Sequence, residues 1–211
     1  MRKHSRRTVI FSGLATGLAS GAFAAPSPAR ITMLGDSITA GYGLRADQAV
    51  PARLEAELNR LGVPAQITAA GVSGDTTAAG LQRVDFSIRP TTQLCIVALG
   101  GNDLLQGLDP HGMQRNLTAI LARLKARKIP ALLVGIAAPP ILGAGYARDF
   151  NAVFPAVAKA ARVPLYADIL APVEGHANLI QDDGVHPNAA GALLVAQRMA
   201  PAVVRALKAG R

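Results

Sequence analysis

The sequence predicts an α/β domain, a mostly parallel sheet covered by helices on both faces. Two observations carry that expectation. Strand-like runs and stretches of helical periodicity alternate five times along the chain, and the strand-like runs are mainly apolar, as strands buried on both sides require.

Arg30 to Leu34 is a short apolar run that ends at Gly35 and reads as the first strand. Leu54, Leu58 and Leu61 then recur at helical spacing behind Pro51, a favourable first-turn residue, and Gly62 stops that helix. The alternation continues with a strand over Gln66 to Ala70, a helix over Thr76 to Phe86, a strand over Gln93 to Leu99 and a helix carrying Leu117, Ile120, Leu121 and Leu124. Ala131 to Ile136 reads as a strand, Asp149 to Ala161 as a helix and Pro164 to Tyr166 as a short strand. Asn188 to Leu207 forms a final helix that Pro201 is expected to kink. In such sheets, sites gather at the carboxyl ends of the strands.

With 50% of its 211 residues apolar and 17% charged, the chain is neither disordered nor of low complexity, and one domain is expected. The N-terminus reads as an export signal over residues 1–24. Arg2, Lys3, Arg6 and Arg7 form a cationic head, Val9 to Gly21 is apolar but softened by Gly and Ser, and Ala22-Phe23-Ala24 suits cleavage, which leaves a domain over residues 25–211. Ser5-Arg6-Arg7-Thr8-Val9-Ile10 resembles a twin-arginine head, with the Sec route as the alternative. An uncleaved anchor is disfavoured, because Ser12, Gly13, Thr16, Gly17, Ser20 and Gly21 bury poorly in lipid. No stable membrane anchor is therefore expected after cleavage, and the protein is expected in the periplasm or secreted.

Cleavage removes those four basic residues and His4 but no acid, so 18 basic and 13 acidic residues remain and the net charge falls from +9 to +5. The remaining charge is scattered. Its one basic cluster, Arg123, Lys125, Arg127 and Lys128, reads as the wet face and basic end of a helix, and aromatic residues are sparse, so nucleic acid is not an expected partner. A monomer is expected. Cys95 is the single cysteine, which excludes an intrachain disulfide, and its setting in Leu94-Cys95-Ile96-Val97 makes it an inert core thiol.

Four loops that follow strands carry chemistry. The first, Gly35-Asp36-Ser37-Ile38, offers the Ser37 hydroxyl as a nucleophile, against the plainer reading of Asp36 or Ser37 as a helix cap. In the second, Ser73-Gly74-Asp75-Thr76, Gly74 brings a bare backbone N–H near a ligand, against a simple turn in which Asp75 caps the next helix. In the third, Gly100-Gly101-Asn102-Asp103, Asn102 aims its amide where an ester oxygen becomes negative, while Asp103 is expected to cap the loop that follows. The fourth, Asp183-Gly184-Val185-His186-Pro187, spaces acid and imidazole so that one tight turn joins the carboxylate to Nδ1 and leaves Nε2 outward. Pro187 suits a helix start, and Asp182 is expected as a cap or supporting group. His111 and His176 have no acid three residues before them and are read as solvated.

The joint occurrence of these blocks, in this order from about Ile31 to Pro187, resembles the SGNH (GDSL) hydrolase superfamily. The sequence departs from it in one letter, Ile38 where Leu is usual, a change that conserves volume. Within the superfamily it is most similar to the periplasmic multifunctional thioesterase/lysophospholipase group and the related arylesterases. The resemblance implies a flavodoxin-like three-layer α/β/α sandwich with a five-stranded, mostly parallel sheet, and serine ester hydrolysis with no cofactor and no metal. It implies Ser37 as nucleophile, His186 as base and Asp183 as its orienting acid, with the Ser37 and Gly74 backbone N–H groups and the Asn102 side chain as oxyanion donors.

The expected activity is hydrolysis of a small-molecule acyl ester or thioester by an exported esterase through an acyl-serine intermediate. Leu104, Leu105 and Leu108 are expected to form a flap, and Pro140, Ile141 and Leu142 to wall an acyl groove. Two alternatives stand beside this. One is an O-acetylesterase of cell-wall sugars, disfavoured by the absence of Trp and the presence of only 3 Tyr. The other is a non-catalytic flavodoxin-like binding module, which leaves Ser37, Asn102, Asp183 and His186 unexplained.

Overall fold

Five strands, all parallel, form one sheet in the order β2-β1-β3-β4-β5: β1 (Ala29–Gly35), β2 (Ala65–Gly71), β3 (Leu94–Ala98), β4 (Ala131–Val134) and β5 (Leu165–Tyr166). This structure is a computed structural model, and it describes residues 27–210; the expected export signal lies outside the described residues. From β1 the chain first crosses to β2 on one side, then passes back over β1 to β3 on the other. The carboxyl ends of β1 and β3 therefore flank the point where the strand order reverses, and the crevice of an open α/β sheet lies there.

Alternating residues of the same strands fill two separate cores. Ile31, Met33, Leu94, Ile96, Leu132 and Val134 face α2 (Val50–Arg60) and α7 (Ala189–Ala209), where Leu54, Leu58, Val195, Met199 and Val203 are buried. Leu34, Cys95, Val97 and Leu133 face α3 (Thr77–Ser87), α5 (Pro110–Ala126) and α6 (Ala144–Ala161), through Val84, Leu117, Leu121, Phe150 and Phe154. This is the expected three-layer arrangement. Each fully buried side chain of this size contributes about 1.5–3 kcal/mol. Burial pushes the Cys95 thiol up to about 12, which suits inert packing. Helix α7 is long and apolar enough to cross a membrane by composition, but the residues that make it so belong to the first core.

Several boundaries differ from the sequence-based expectation. Helix α6 begins at Ala144 rather than near Asp149, because Asp149 pairs with Arg148 at 3.0 Å and Gly143, with φ +102°, makes the entry. Helix α7 begins at Ala189, one residue after the expected start, and Asn188 caps it, accepting from the N–H groups of Ala190 and Gly191. Helix α7 continues through Pro201, and α6 through Pro155; both prolines lie on exposed faces, so the carbonyl that each leaves without a donor meets water. Two one-turn helices, α1 (Ser37–Ala40) and α4 (Gly101–Leu105), occupy segments expected as loops.

Candidate active site

Ser37 stands at the first position of α1, directly beyond the end of β1. Asp36 caps that helix, its Oδ1 accepting from the Ile38 N–H at 3.1 Å, and Gly41 closes it in the left-handed region at φ +76°. A helix of one turn leaves its first N–H groups without internal acceptors, so the Ser37 amide is available next to its own hydroxyl.

His186 arrives from the far end of the chain on a hairpin-like loop. Ile180 and Pro187 bridge antiparallel, the Gln181 N–H donates to the His186 carbonyl at 2.8 Å, and the Asn188 N–H donates to the Leu179 carbonyl at 2.9 Å. Gly184, at φ +71°, turns the chain so that the N–H groups of Val185 and His186 both reach Asp183 Oδ1, at 2.9 and 3.0 Å. The other carboxylate oxygen, Oδ2, meets His186 Nδ1 at 2.6 Å, and His186 Nε2 meets Ser37 Oγ at 2.8 Å. Those backbone donors, followed by the imidazole, hold the Asp183 carboxyl down at about 2, so it is ionised at neutral pH. The ring of Tyr42 packs on His186 with centroids 4.8 Å apart, and Gln181 Nε2 donates to the Tyr42 carbonyl at 2.8 Å, tying the ring's segment to the histidine loop.

The loops after β2 and β3 are clamped to each other. Asn102 Nδ2 donates to the Asp75 carbonyl at 3.0 Å, which leaves its second amide hydrogen free to point elsewhere. Asp103 is buried and accepts from the Thr77 N–H at 2.8 Å and the Thr77 hydroxyl at 2.6 Å. It therefore secures the start of α3, not the loop after Asn102 as expected. Thr76 rather than Asp75 caps α3, and Asp75 pairs with Arg83 at 2.5 Å. Gly100, at φ +126°, lies where a Cβ would stand 2.9 Å from Phe154 Cζ, so both backbone and packing require glycine there. Gly74, at φ +88°, adjoins Asp75 but does not line the cleft described below.

Residues 33–194 match the GDSL-like Lipase/Acylhydrolase family. Esterase TesA of Pseudomonas aeruginosa is 36% identical over 161 residues, 74% of this chain and 79% of that protein. Thioesterase 1/protease 1/lysophospholipase L1 of Escherichia coli K12 is 34% identical over 179 residues, 84% and 85% of the two chains. The solved structure of AlinE4, an SGNH-hydrolase family esterase, superimposes with a TM-score of 0.73 at 46% identity, covering 86% of this chain and 98% of AlinE4. The chain belongs to the GDSL-like lipase/acylhydrolase family. It is thus a hydrolase of ester bonds.

In this GDSL-like hydrolase a cleft of about 620 Å³ opens beside Ser37, Asn102 and His186, a size that suits a small ligand. Leu104 and Leu105 of α4 form one wall, Ala137 to Pro140 and Leu142 a second, and Leu170, Val173 and Val185 a third. Of the residues expected to meet substrate, Leu108 and Ile141 are not in the lining; Ile141 is 90% exposed, projecting from the short 3-10 turn Pro140–Leu142. His111, His176 and Asp182 are exposed.

Three contributors go beyond the sequence reading: Asp36, read there only as a cap, and Tyr42 and Arg83. Asp36 is only 5% exposed, and burial pushes its carboxyl up to about 6, against the opposing pull of the Ile38 N–H and of His186. Its Oδ2 would lie 3.0 Å from a Cβ at position 101, which explains the second glycine of Gly100-Gly101. Tyr42 backs the imidazole, and Arg83 underlies the Gly74 loop. Asp36 carried a signal, since it stands inside a matched block; Arg83 carried none, since it stands eight residues after Asp75, well beyond the three- or four-residue spacing at which helical side chains pair.

Proposed function

We propose that this chain is an exported serine esterase that hydrolyses acyl esters or thioesters through an acyl-serine intermediate, acting as a monomer in the periplasm or outside the cell. The observation that carries the reading is the unbroken relay Asp183 Oδ2, His186 Nδ1, His186 Nε2 and Ser37 Oγ, at 2.6 and 2.8 Å, on the wall of a largely apolar cleft. The cationic head and Ala-Phe-Ala end of residues 1–24 support export.

Ser37 Oγ attacks the acyl carbon as His186 Nε2 takes its proton, and the ionised Asp183 holds the imidazolium in place. The carbonyl oxygen becomes negative and is met by the Ser37 N–H, the Gly74 N–H and the Asn102 amide; one such donor lowers the barrier by about 3–4 kcal/mol. As the tetrahedral centre collapses, the bond to the alcohol or thiol breaks and His186 returns the proton to that leaving group. Water then attacks the acyl-serine, gives its proton to His186, and the carboxylic acid departs as Ser37 Oγ recovers the proton. The names of the relatives, an esterase and a thioesterase/lysophospholipase, fit an acyl group as the shared element of the substrates.

The test is hydrolysis of a chromogenic short-chain ester with mass-spectrometric mapping of a phosphonofluoridate label. The expected result is turnover that Ser37→Ala abolishes, with the label on Ser37 alone; turnover retained in Ser37→Ala overturns the reading.

A further inference from the structure

The guanidinium of Arg83 lies beneath the loop after β2, 18% exposed, and makes four hydrogen bonds. Nε donates to Asp75 Oδ2 at 2.5 Å, Nη2 to the Gly35 carbonyl at 2.8 Å, and Nη1 to the Ala70 carbonyl at 2.9 Å and to Ser87 Oγ at 3.1 Å. A largely buried arginine–carboxylate pair is weak support for stability, because desolvating the two ions offsets most of their attraction. What distinguishes this pair is where its acceptors stand. Gly35 is the last residue of β1, two before Ser37. Ala70 lies at the end of β2, where the chain turns toward Gly74, and Asp75 follows Gly74 and offers its carbonyl to Asn102 Nδ2 at 3.0 Å. One rigid planar group thus touches the segments that lead to two of the proposed oxyanion donors, Ser37 and Gly74, and is joined to the third, Asn102, through Asp75, and it does so without lining the cleft.

We propose that Arg83 is a positioning residue of the hydrolytic site. It fixes the Gly74 loop, and through the Asp75 carbonyl the Asn102 amide, at a set separation from Ser37. A lysine, with a point charge and no fork, cannot span the three carbonyl and carboxylate acceptors at once. The inference rests on the hydrolytic reading given above, since it concerns how that oxyanion site is held.

The test is steady-state kinetics of Arg83→Gln and Arg83→Lys, alone and in an Asn102→Ala background, with thermal melts of each protein. Misplacing a donor by about 1 Å costs about 100-fold, so Arg83→Gln is expected to lower kcat by about that factor while KM stays within about threefold. In the Asn102→Ala background the same change is expected to cost less than about fivefold, because one donor that Arg83 positions is already gone. Guanidinium ion at non-denaturing concentration is expected to restore part of the lost kcat to Arg83→Ala. A purely structural role predicts the opposite pattern: equal losses in both backgrounds, or losses explained by the folded fraction in the melts, and either result overturns the proposal. Should Arg83→Gln fail to fold, Asp75→Asn removes the charge partner at little steric cost and is expected to lower kcat about tenfold; unchanged kcat there overturns the proposal. Wild-type protein without ester turnover would instead remove the hydrolytic reading, whereas turnover that Ser37→Ala abolishes but Arg83→Gln leaves intact removes only the role of Arg83.

Discussion

His186 Nε2 lies 2.8 Å from Ser37 Oγ although 149 residues separate them in the chain. The proposed mechanism makes these two side chains one unit, and residues that act as one unit lose activity as one unit. Ser37→Ala and His186→Ala are each expected to lower kcat for a chromogenic ester by about 10⁴ to 10⁶, and the double variant by little more than either alone. Additive losses in that cycle would mean that the two side chains act independently.

Asp183 serves the imidazole and its own loop at once, through different oxygens. Asp183→Asn keeps an oxygen for the Val185 and His186 N–H groups but presents the ring with an amide, which favours the wrong tautomer. A loss of about 10⁴ in kcat is expected, with a circular dichroism spectrum like that of the wild type. The stability effect has a definite sign. The carboxyl is held below its ordinary range, so its contribution is present above the ordinary carboxylate pKa of 3.8 and is lost as the pH falls toward about 2. The wild type and Asp183→Asn should therefore converge in melting temperature near pH 2 and diverge by pH 5.

How much of this was legible in the sequence differs by element. The strands were, because fully apolar runs such as Leu94 to Ala98 have few alternatives to a sheet buried on both sides. The start of α6 was not, since Gly143 makes the entry through a positive φ that composition alone does not specify, whereas Asp149 offers a conventional capping signal. At the site, the four blocks named Ser37, Gly74, Asn102, Asp183 and His186. What they left out is long-range: Arg83 reaching Gly35, 48 residues away, and Asp103 reaching Thr77, 26 residues away. No local pattern encodes a hydrogen bond that exists only after the sheet is assembled. The misplacement of Ile141 has the same origin, for a 3-10 turn with three residues per turn points Pro140, Ile141 and Leu142 in three different directions, and only Ile141 points away from the cleft.

The cleft wall separates two exposed apolar residues that were both expected to meet substrate, Leu105 from a flap and Ile141 from a groove wall. Leu105 lines it and Ile141 does not. Leu105→Ala is expected to raise KM for a decanoyl or dodecanoyl ester by about tenfold, the equivalent of about 1–2 kcal/mol of lost apolar contact, and to leave an acetyl ester unaffected. Ile141→Ala should change neither KM. An acyl-length profile of the three proteins checks both statements; equal effects of the two substitutions would place the acyl chain elsewhere.

Asp36 sets stability against activity. Its carboxyl is buried and pushed up to about 6 from an ordinary 3.8, so the folded state takes up a proton more readily than the unfolded chain. No cost is felt below pH 3.8, where both states are neutral; the cost grows as the pH rises from 3.8 through 6 and is complete above that, at up to about 3 kcal/mol. Asp36→Asn keeps the acceptor for the Ile38 N–H and removes the charge. Its melting temperature is expected to exceed that of the wild type at pH 8, and the gap to close as the pH falls to about 4. The same charge attracts His186 when the imidazole carries its second proton, as the proposed attack of Ser37 requires. The variant should therefore lose about tenfold in kcat while gaining stability, the exchange expected where a buried charge is kept for chemistry rather than for the fold. Melting curves and ester kinetics on one preparation measure both sides, and a variant that is less stable at pH 8 would show that the ionised carboxylate is a structural support.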